Sequence, residues 1–375
     1  MNIRIYVFVL GILVCASGHS VLGQGQTYRL QSDMFGEVGC SYETWTADKD
    51  KVTEFSLPVK FIYPYSDKLR FYAMTSPAFC SMDAGTDYSL SGLSDIKWGG
   101  HYLMLNDRYL LTFGMNLPTG KSALEVEEVP VANTLILPAF RFRVPSLGQG
   151  FDVQVGLSTA REWGEYIVGA GITYLMKGGF KPYTDSDDKY NPGDEISFTV
   201  GADRVVNLFQ REVRMTGDIL YTLYFDDTWG DDKIFHSGSR WIFQLMSTFK
   251  MGSLDMVLFL REALKGKNKL GSEDVFETER KNSNANQFEI HSYGYYPYSQ
   301  NVRFKGVLEL RLYSNNDYDR GGATLFGFGG GGQLRLTPRI MLDGDMRYYF
   351  GSIQSSTERV GTSGFKLFGS IQYTL

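Results

Sequence analysis

From Val302 to Leu312 the chain alternates: Val302, Phe304, Gly306, Leu308, Leu310 and Leu312 are apolar or small, and Arg303, Lys305, Glu309 and Arg311 fill most positions between them. Successive side chains of an extended strand point to opposite faces, so the segment has one oily side and one ionic side. The same split returns in 340–350, where Asp343, Asp345 and Arg347 stand between Leu342, Gly344, Met346 and Tyr348. It returns again in 213–225 with Arg214 and Asp218, and in 254–261 with Asp255 and Arg261. An all-β fold follows, and the open question is which face is wet: a soluble sandwich turns its polar face outward, a transmembrane barrel turns it inward.

The connections answer it. About sixteen alternating segments run between residue 34 and the end, with fourteen as the alternative count. Brief turns such as Asn106-Asp107, Trp163-Gly164 and 251–253 interleave with longer polar stretches at 80–92, 119–150, 178–194, 226–237, 265–285, 315–322 and 351–363. Short turns at one end and long loops at the other are the signature of an antiparallel up-and-down β-barrel of the outer membrane. Segment 119–150 is the weak point, because Thr134–Val144 has strand-like composition. Counting it would break the up-and-down order of everything before it. We read Ser122–Ala139 as a loop with a helical turn that folds into the lumen and narrows it.

Composition agrees. Of 375 residues 15% are aromatic, with 24 Tyr and 26 Phe, a supply suited to strands and interfacial belts. Trp241, Tyr348 and Phe350 fall on the outward face near strand ends. Beyond the N-terminus there is no apolar run of about 18 residues, so a helical membrane protein is not expected. At the start, Arg4 precedes an apolar core, Ile5–Val14, and then small residues, which reads as a signal peptide, 1–23, followed by a barrel domain, 24–375. Localisation in the cell outer membrane of a Gram-negative-type bacterium follows. Cys40 and Cys80 remain after cleavage and, placed on non-adjacent strands or on a strand and a loop, are expected as two free thiols. A net charge of −5 argues against nucleic acid as a partner.

The last strand places Phe365, Leu367, Gly369, Ile371, Tyr373 and Leu375 on one face up to the chain end. This is similar to the C-terminal signal of outer-membrane barrels, with Leu where the terminal Phe is usual. It implies recognition by the barrel assembly machinery.

Leu90-Ser91-Gly92-Leu93-Ser94-Asp95-Ile96, Trp98-Gly99-Gly100-His101-Tyr102, the turn Asn106-Asp107-Arg108 and Asn116-Leu117-Pro118-Thr119-Gly120-Lys121 carry a family resemblance. Over about 30 residues the chain resembles the outer-membrane barrels of the meta-pathway phenol degradation family, which are similar in turn to FadL-type transporters. The resemblance implies passive uptake of small hydrophobic or aromatic molecules.

The functional candidates are the charges of the lumenal face: Arg214, Asp218, Asp255, Arg261, Arg303, Lys305, Glu309, Arg311, Asp343, Asp345 and Arg347. Both signs occur on neighbouring strands, so salt-bridge ladders bracing the wall and a charge-lined path for solute are both open. Leu220, Tyr224, Val257, Phe259, Val307, Tyr313, Tyr349 and Phe368 share that face and suit an amphipathic or aromatic solute. On this view Leu308→Arg impairs assembly while Glu309→Arg changes selectivity more than folding. The expected partners are outer-membrane lipid and a small-molecule solute.

No catalytic residues are expected. His101, His236 and His291 offer no triad, and His291 and Ser292 point to opposite faces of one strand. The acidic groups 185–188, Asp226-Asp227, Asp231-Asp232 and 315–317 lack the spacing of a calcium loop, and Gly329–Gly332 has no following Lys-Ser or Lys-Thr. No metal and no cofactor are anticipated, and the glycine run reads as room for a loop or solute beside the wall. The alternative to a channel is a non-conducting structural or surface-adhesion barrel.

Overall fold

The structure, a computed structural model, describes residues 33–375 apart from 106, 209, 273, 274 and 355–357. The expected signal peptide therefore lies outside the described residues. Sixteen antiparallel staves close into a barrel. They are β1 (Phe35–Ala47), β2 (Asp50–Ser56 continued by Val59–Pro64), β3 (Leu69–Thr75 continued by Pro77–Asp83), β4 (Asp87–Leu93 continued by Ile96–Met104) and β5 (Tyr109–Leu117). After an excursion follow β6 (Asp152–Trp163), β7 (Tyr166–Lys177), β8 (Glu195–Leu208), β9 (Arg211–Tyr224), β10 (Arg240–Met251) and β11 (Leu254–Lys265). The last five are β12 (Gln287–Pro297), β13 (Val302–Tyr313), β14 (Ala323–Arg335), β15 (Ile340–Gln354) and β16 (Arg359–Thr374). Closure is by β1 on β16, with Phe35 opposite Thr374 and Ala47 opposite Thr362. Closure pairs the first stave with the last, which is what lipid requires of a spanning sheet.

The alternation sets the two faces. Along β13, Lys305, Val307, Glu309, Arg311 and Tyr313 are buried, while Phe304, Leu308 and Leu312 are exposed. Exposed Val38, Phe79, Val155, Ile172, Phe198, Val200, Phe328, Met346 and Ile371 carry the same oily surface around the ring. A continuous apolar exterior of this kind marks a surface built for lipid rather than water. Outward aromatics cluster upon it: Phe71, Trp98 and Phe113 pack together, as do Phe326, Phe328, Tyr348 and Phe350. Cys40 faces outward, Cys80 is buried, and both are free thiols.

Three readings of the sequence need correction. Residues 80–92 are not a long loop, because β3 and β4 continue to Asp83 and from Asp87 around a tight turn. The hydrophobic period misleads there because both staves are interrupted. Pro77, without an N–H, marks the break in β3, and the break in β4 at Ser94-Asp95 reverses which residues face inward: Leu90 before it and Asp95 and Leu103 after it are buried. Second, the stretches 226–237 and 265–285 are not plain loops but contain hairpins. With Tyr190–Asn191, these build a five-stranded sheet on the loop side. Three acidic residues in or beside it have partners. Asp226 takes His236 and Lys233, Asp227 takes the Tyr190 hydroxyl and the Gly193 N–H, and Asp188 takes the Trp229 indole. Third, the glycine run of β14 serves a different end, described below.

Candidate conduction lumen

Segment 119–150 folds into the barrel, as its loop reading anticipated, and carries one helix, α1 (Val129–Leu135). Its apolar residues build a core inside the ring. Val131, Leu135, Phe140, Phe142, Val144 and Leu147 pack on Trp45, Val52, Ala78, Cys80 and Leu90 of β1 to β4, and on Tyr313, Ala323, Leu325 and Tyr349 of β13 to β15. Burying a side chain such as Phe142 contributes about 1.5–3 kcal/mol, so this packing fixes the segment.

Polar contacts decide how it crosses. Asp95 accepts the N–H groups of Gly120 and Gln149, both at 2.8 Å, and the Asn116 side chain at 3.2 Å. Glu54 of β2 accepts the Val144 N–H at 3.0 Å. From β13, Arg311 donates to the Ala139 carbonyl at 2.7 Å, and the Tyr313 hydroxyl lies 3.3 Å from that of Pro138. Lys366 of β16 donates to the Arg141 carbonyl, and the Arg141 guanidinium pairs with Glu289 of β12. Arg141 has φ +52°, a left-handed turn that sends its side chain away from Phe140 and Phe142 and across the lumen.

The candidate charges of β11, β13 and β15 form a ladder. Arg303 pairs with Asp255 at 2.9 Å. Lys305 bridges Asp343 at 3.3 Å and Asp345 at 2.6 Å, and Gln333 donates to Asp343 at 2.7 Å. Arg347 links Asp345 to Glu309, which also receives Arg311 at 3.0 Å and the Tyr349 hydroxyl at 2.9 Å. His291 lies between Glu289 at 3.3 Å and Glu309 at 3.7 Å, and Arg261 completes the Glu289 cluster at 3.5 Å. On β9, Arg214 and Thr216 donate to Asp203 at 2.9 and 2.6 Å. Asp218 stands apart from the ladder on that stave, with one carboxylate oxygen buried and without a partner among the described residues.

Gly329 and Gly331 of β14 serve the close approach of β15 that carries the ladder, rather than a loop or solute. A Cβ on Gly329 would collide with the Met346 carbonyl oxygen and stand 2.8 Å from Arg347 Cγ, and one on Gly331 would collide with the Gly344 carbonyl oxygen and stand 2.7 Å from Asp345 Cβ. The same network corrects the expectation for Glu309→Arg. Buried Glu309 balances Arg311 and Arg347, and a cation there would set a third positive charge beside them, with Asp345 on Arg347 as the remaining carboxylate of the group.

Several lumenal residues were not among the sequence candidates. Glu289, with His291, Tyr293 and Tyr295, alternates along β12 as plainly as β13 does, so the pattern was available. Glu43, Glu54 and Lys366 sit at inward positions of β1, β2 and β16. Arg141 carried no periodic signal, because its place depends on how a loop folds.

Below the crossing segment, on the short-turn side, opens a vestibule of about 800 Å³, lined by Arg211, Arg214, Lys250, Asp255, Tyr295 and Arg303 among others. A recess of about 210 Å³ lies between α1 and residues 180–183.

Among solved structures the chain is similar to OccK11 (OpdR) of Pseudomonas aeruginosa, at a TM-score of 0.48 and 9% identity, covering 92% of this chain and 96% of that one. It is also similar to the CymD monoaromatic hydrocarbon channel, at 0.43 and 12%, covering 92% and 88%. An outer membrane channel of Pseudomonas putida F1 gives 0.39 and 9%, covering 94% and 100%. No family model and no curated protein matches the chain. Likenesses at this level carry no inference about cargo, and the barrel stands on this chain's own register and faces.

Proposed function

We propose that the protein is an outer-membrane channel through which small molecules pass without catalysis or energy input. The observation that carries this reading is segment 119–150, folded into a charged lumen and held from β2, β12, β13 and β16, with a vestibule beneath it. A ring of sixteen staves is wide enough to leave an aqueous passage, and an inward loop sets its width. Solutes with an apolar or aromatic body fit the reading. Tyr224, Phe259, Tyr293 and Tyr295 stand among the lumenal charges, and the resemblance carried by 90–121 points to the same class. The outward face of β16, with Leu367, Ile371 and Tyr373, serves as the signal to the assembly machinery.

Reconstitution in planar bilayers and in liposomes tests the channel. Discrete conductance steps are expected, with benzenesulfonate, which crosses protein-free bilayers slowly, entering liposomes that carry the protein faster than a pentose of similar mass. Absence of both current and flux would leave the non-conducting structural barrel.

A further inference from the structure

Arg240 and Lys265 are direct register partners on β10 and β11. Both belong to the lumenal rows, since Ile242 and Ala263, two residues along each strand, are buried while Trp241 is exposed to the outside. Like charges placed directly opposite across two strands are destabilising, so such a pair calls for a reason.

The surroundings do not cancel it. Among the described residues no carboxylate reaches 4.0 Å from either group, the Arg240 Nε is buried without a hydrogen-bond partner, and Lys265 Nζ rests 5.6 Å above the Tyr224 ring. Glu195 and Asp227 attract Lys265 from further off. Glu195 is already paired with Lys177, however, and Asp227 already accepts from Tyr190 at 2.6 Å and Gly193 at 2.7 Å. The neighbouring staves show the contrast: Arg303, Lys305, Arg311 and Arg347 each have a carboxylate within 3.0 Å. Further in from Arg240, Arg261 and Arg141 share the single carboxylate of Glu289. Cations in excess of acids thus run from the loop-side mouth to the narrowing made by segment 119–150.

We propose that Arg240 and Lys265 form a docking site for the carboxylate of a small organic acid entering from the loop side. The site rests on the channel reading for its purpose, and it adds a negative group to the apolar body proposed there. A guanidinium offers planar paired donors and an ammonium a movable one, a combination suited to holding a carboxylate and releasing it inward to Arg261.

The test uses the full-length protein in detergent, with benzoate as probe and benzyl alcohol as its uncharged counterpart. Saturation-transfer NMR titration should show benzoate binding about tenfold weaker in the double variant Arg240→Gln/Lys265→Gln, the loss expected for a charge-assisted contact. It should be unchanged in Lys49→Gln, at the first hairpin tip. Arg240→Lys, which keeps the charge, should retain most of the binding and shows whether a loss in the double variant reflects charge or misfolding. In bilayers under a KCl gradient the double variant should shift the reversal potential toward cation preference. Unchanged benzoate binding in a folded double variant overturns the site, as does equal weakening of benzyl alcohol, which would mean an apolar pocket. A wild-type barrel that passes no current defeats the channel reading, while the NMR titration, which needs no current, still decides the site.

Discussion

The carboxylate of Asp95 holds the backbone N–H of Gly120 at 2.8 Å and, with its other oxygen, that of Gln149 at the same distance. One side chain on the wall therefore clasps both ends of the segment that enters the lumen. The clasp exists because β4 breaks at Ser94-Asp95 and turns Asp95 inward. Asp95→Ala leaves these N–H groups without their acceptor, at a cost of about 1–3 kcal/mol. The segment should then loosen, giving noisier and larger single-channel currents and faster trypsin cleavage at Arg141 and Arg143 in the folded barrel. Unaltered currents and unaltered proteolysis would mean that the apolar packing alone fixes the loop.

Arg141 reaches from the segment to Glu289. Arg141→Ala should widen the passage and raise conductance. Its stability cost should stay below the about 3–5 kcal/mol of a broken isolated buried pair, because Glu289 keeps Arg261, His291 and Tyr313. Conductance measured beside urea unfolding checks both halves.

Leu308 and Glu309 are neighbours in sequence that face opposite media, one 53% exposed and the other buried. Leu308→Arg should cost about 2–4 kcal/mol near the bilayer midplane. Glu309→Arg should cost at least the about 3–5 kcal/mol of leaving buried charge uncompensated. Unfolding titrations in lipid vesicles rank them. A freely tolerated Glu309→Arg would contradict the ladder.

In the outer sheet, burial is the largest single influence on the Asp226 carboxyl and raises it, but the hydrogen bonds and charges of His236 and Lys233 together outweigh it and hold the group below its ordinary value. A depressed folded pKa means stability present above the unfolded value of about 3.9 and lost as pH falls through the lower folded one. Amide exchange in Asp232–His236 should therefore accelerate, beyond the intrinsic pH trend, once pH drops below about 4, and Asp226→Asn should flatten that response.

The faces of β13 and β15 were legible because period-two alternation needs no knowledge of neighbours: Lys305 and Glu309 share a side whatever stands opposite. The same reading failed at residues 80–92, where broken staves and the inverted parity at Asp95 disguise strands as a loop. It also passed over Glu289, although β12 alternates, because its meaning lies in the four partners around it.

The amino-acid order by itself determined an all-β chain with one oily and one ionic surface, since side-chain direction along an extended backbone is a local property. Only the tertiary structure decided that Arg141 meets Glu289, that Gly329 and Gly331 let β15 approach closely, and that Arg240 faces Lys265 with no carboxylate within 4.0 Å among the described residues. Those relationships join residues far apart in the chain, and they are fixed by register and closure of the ring, which no local pattern encodes.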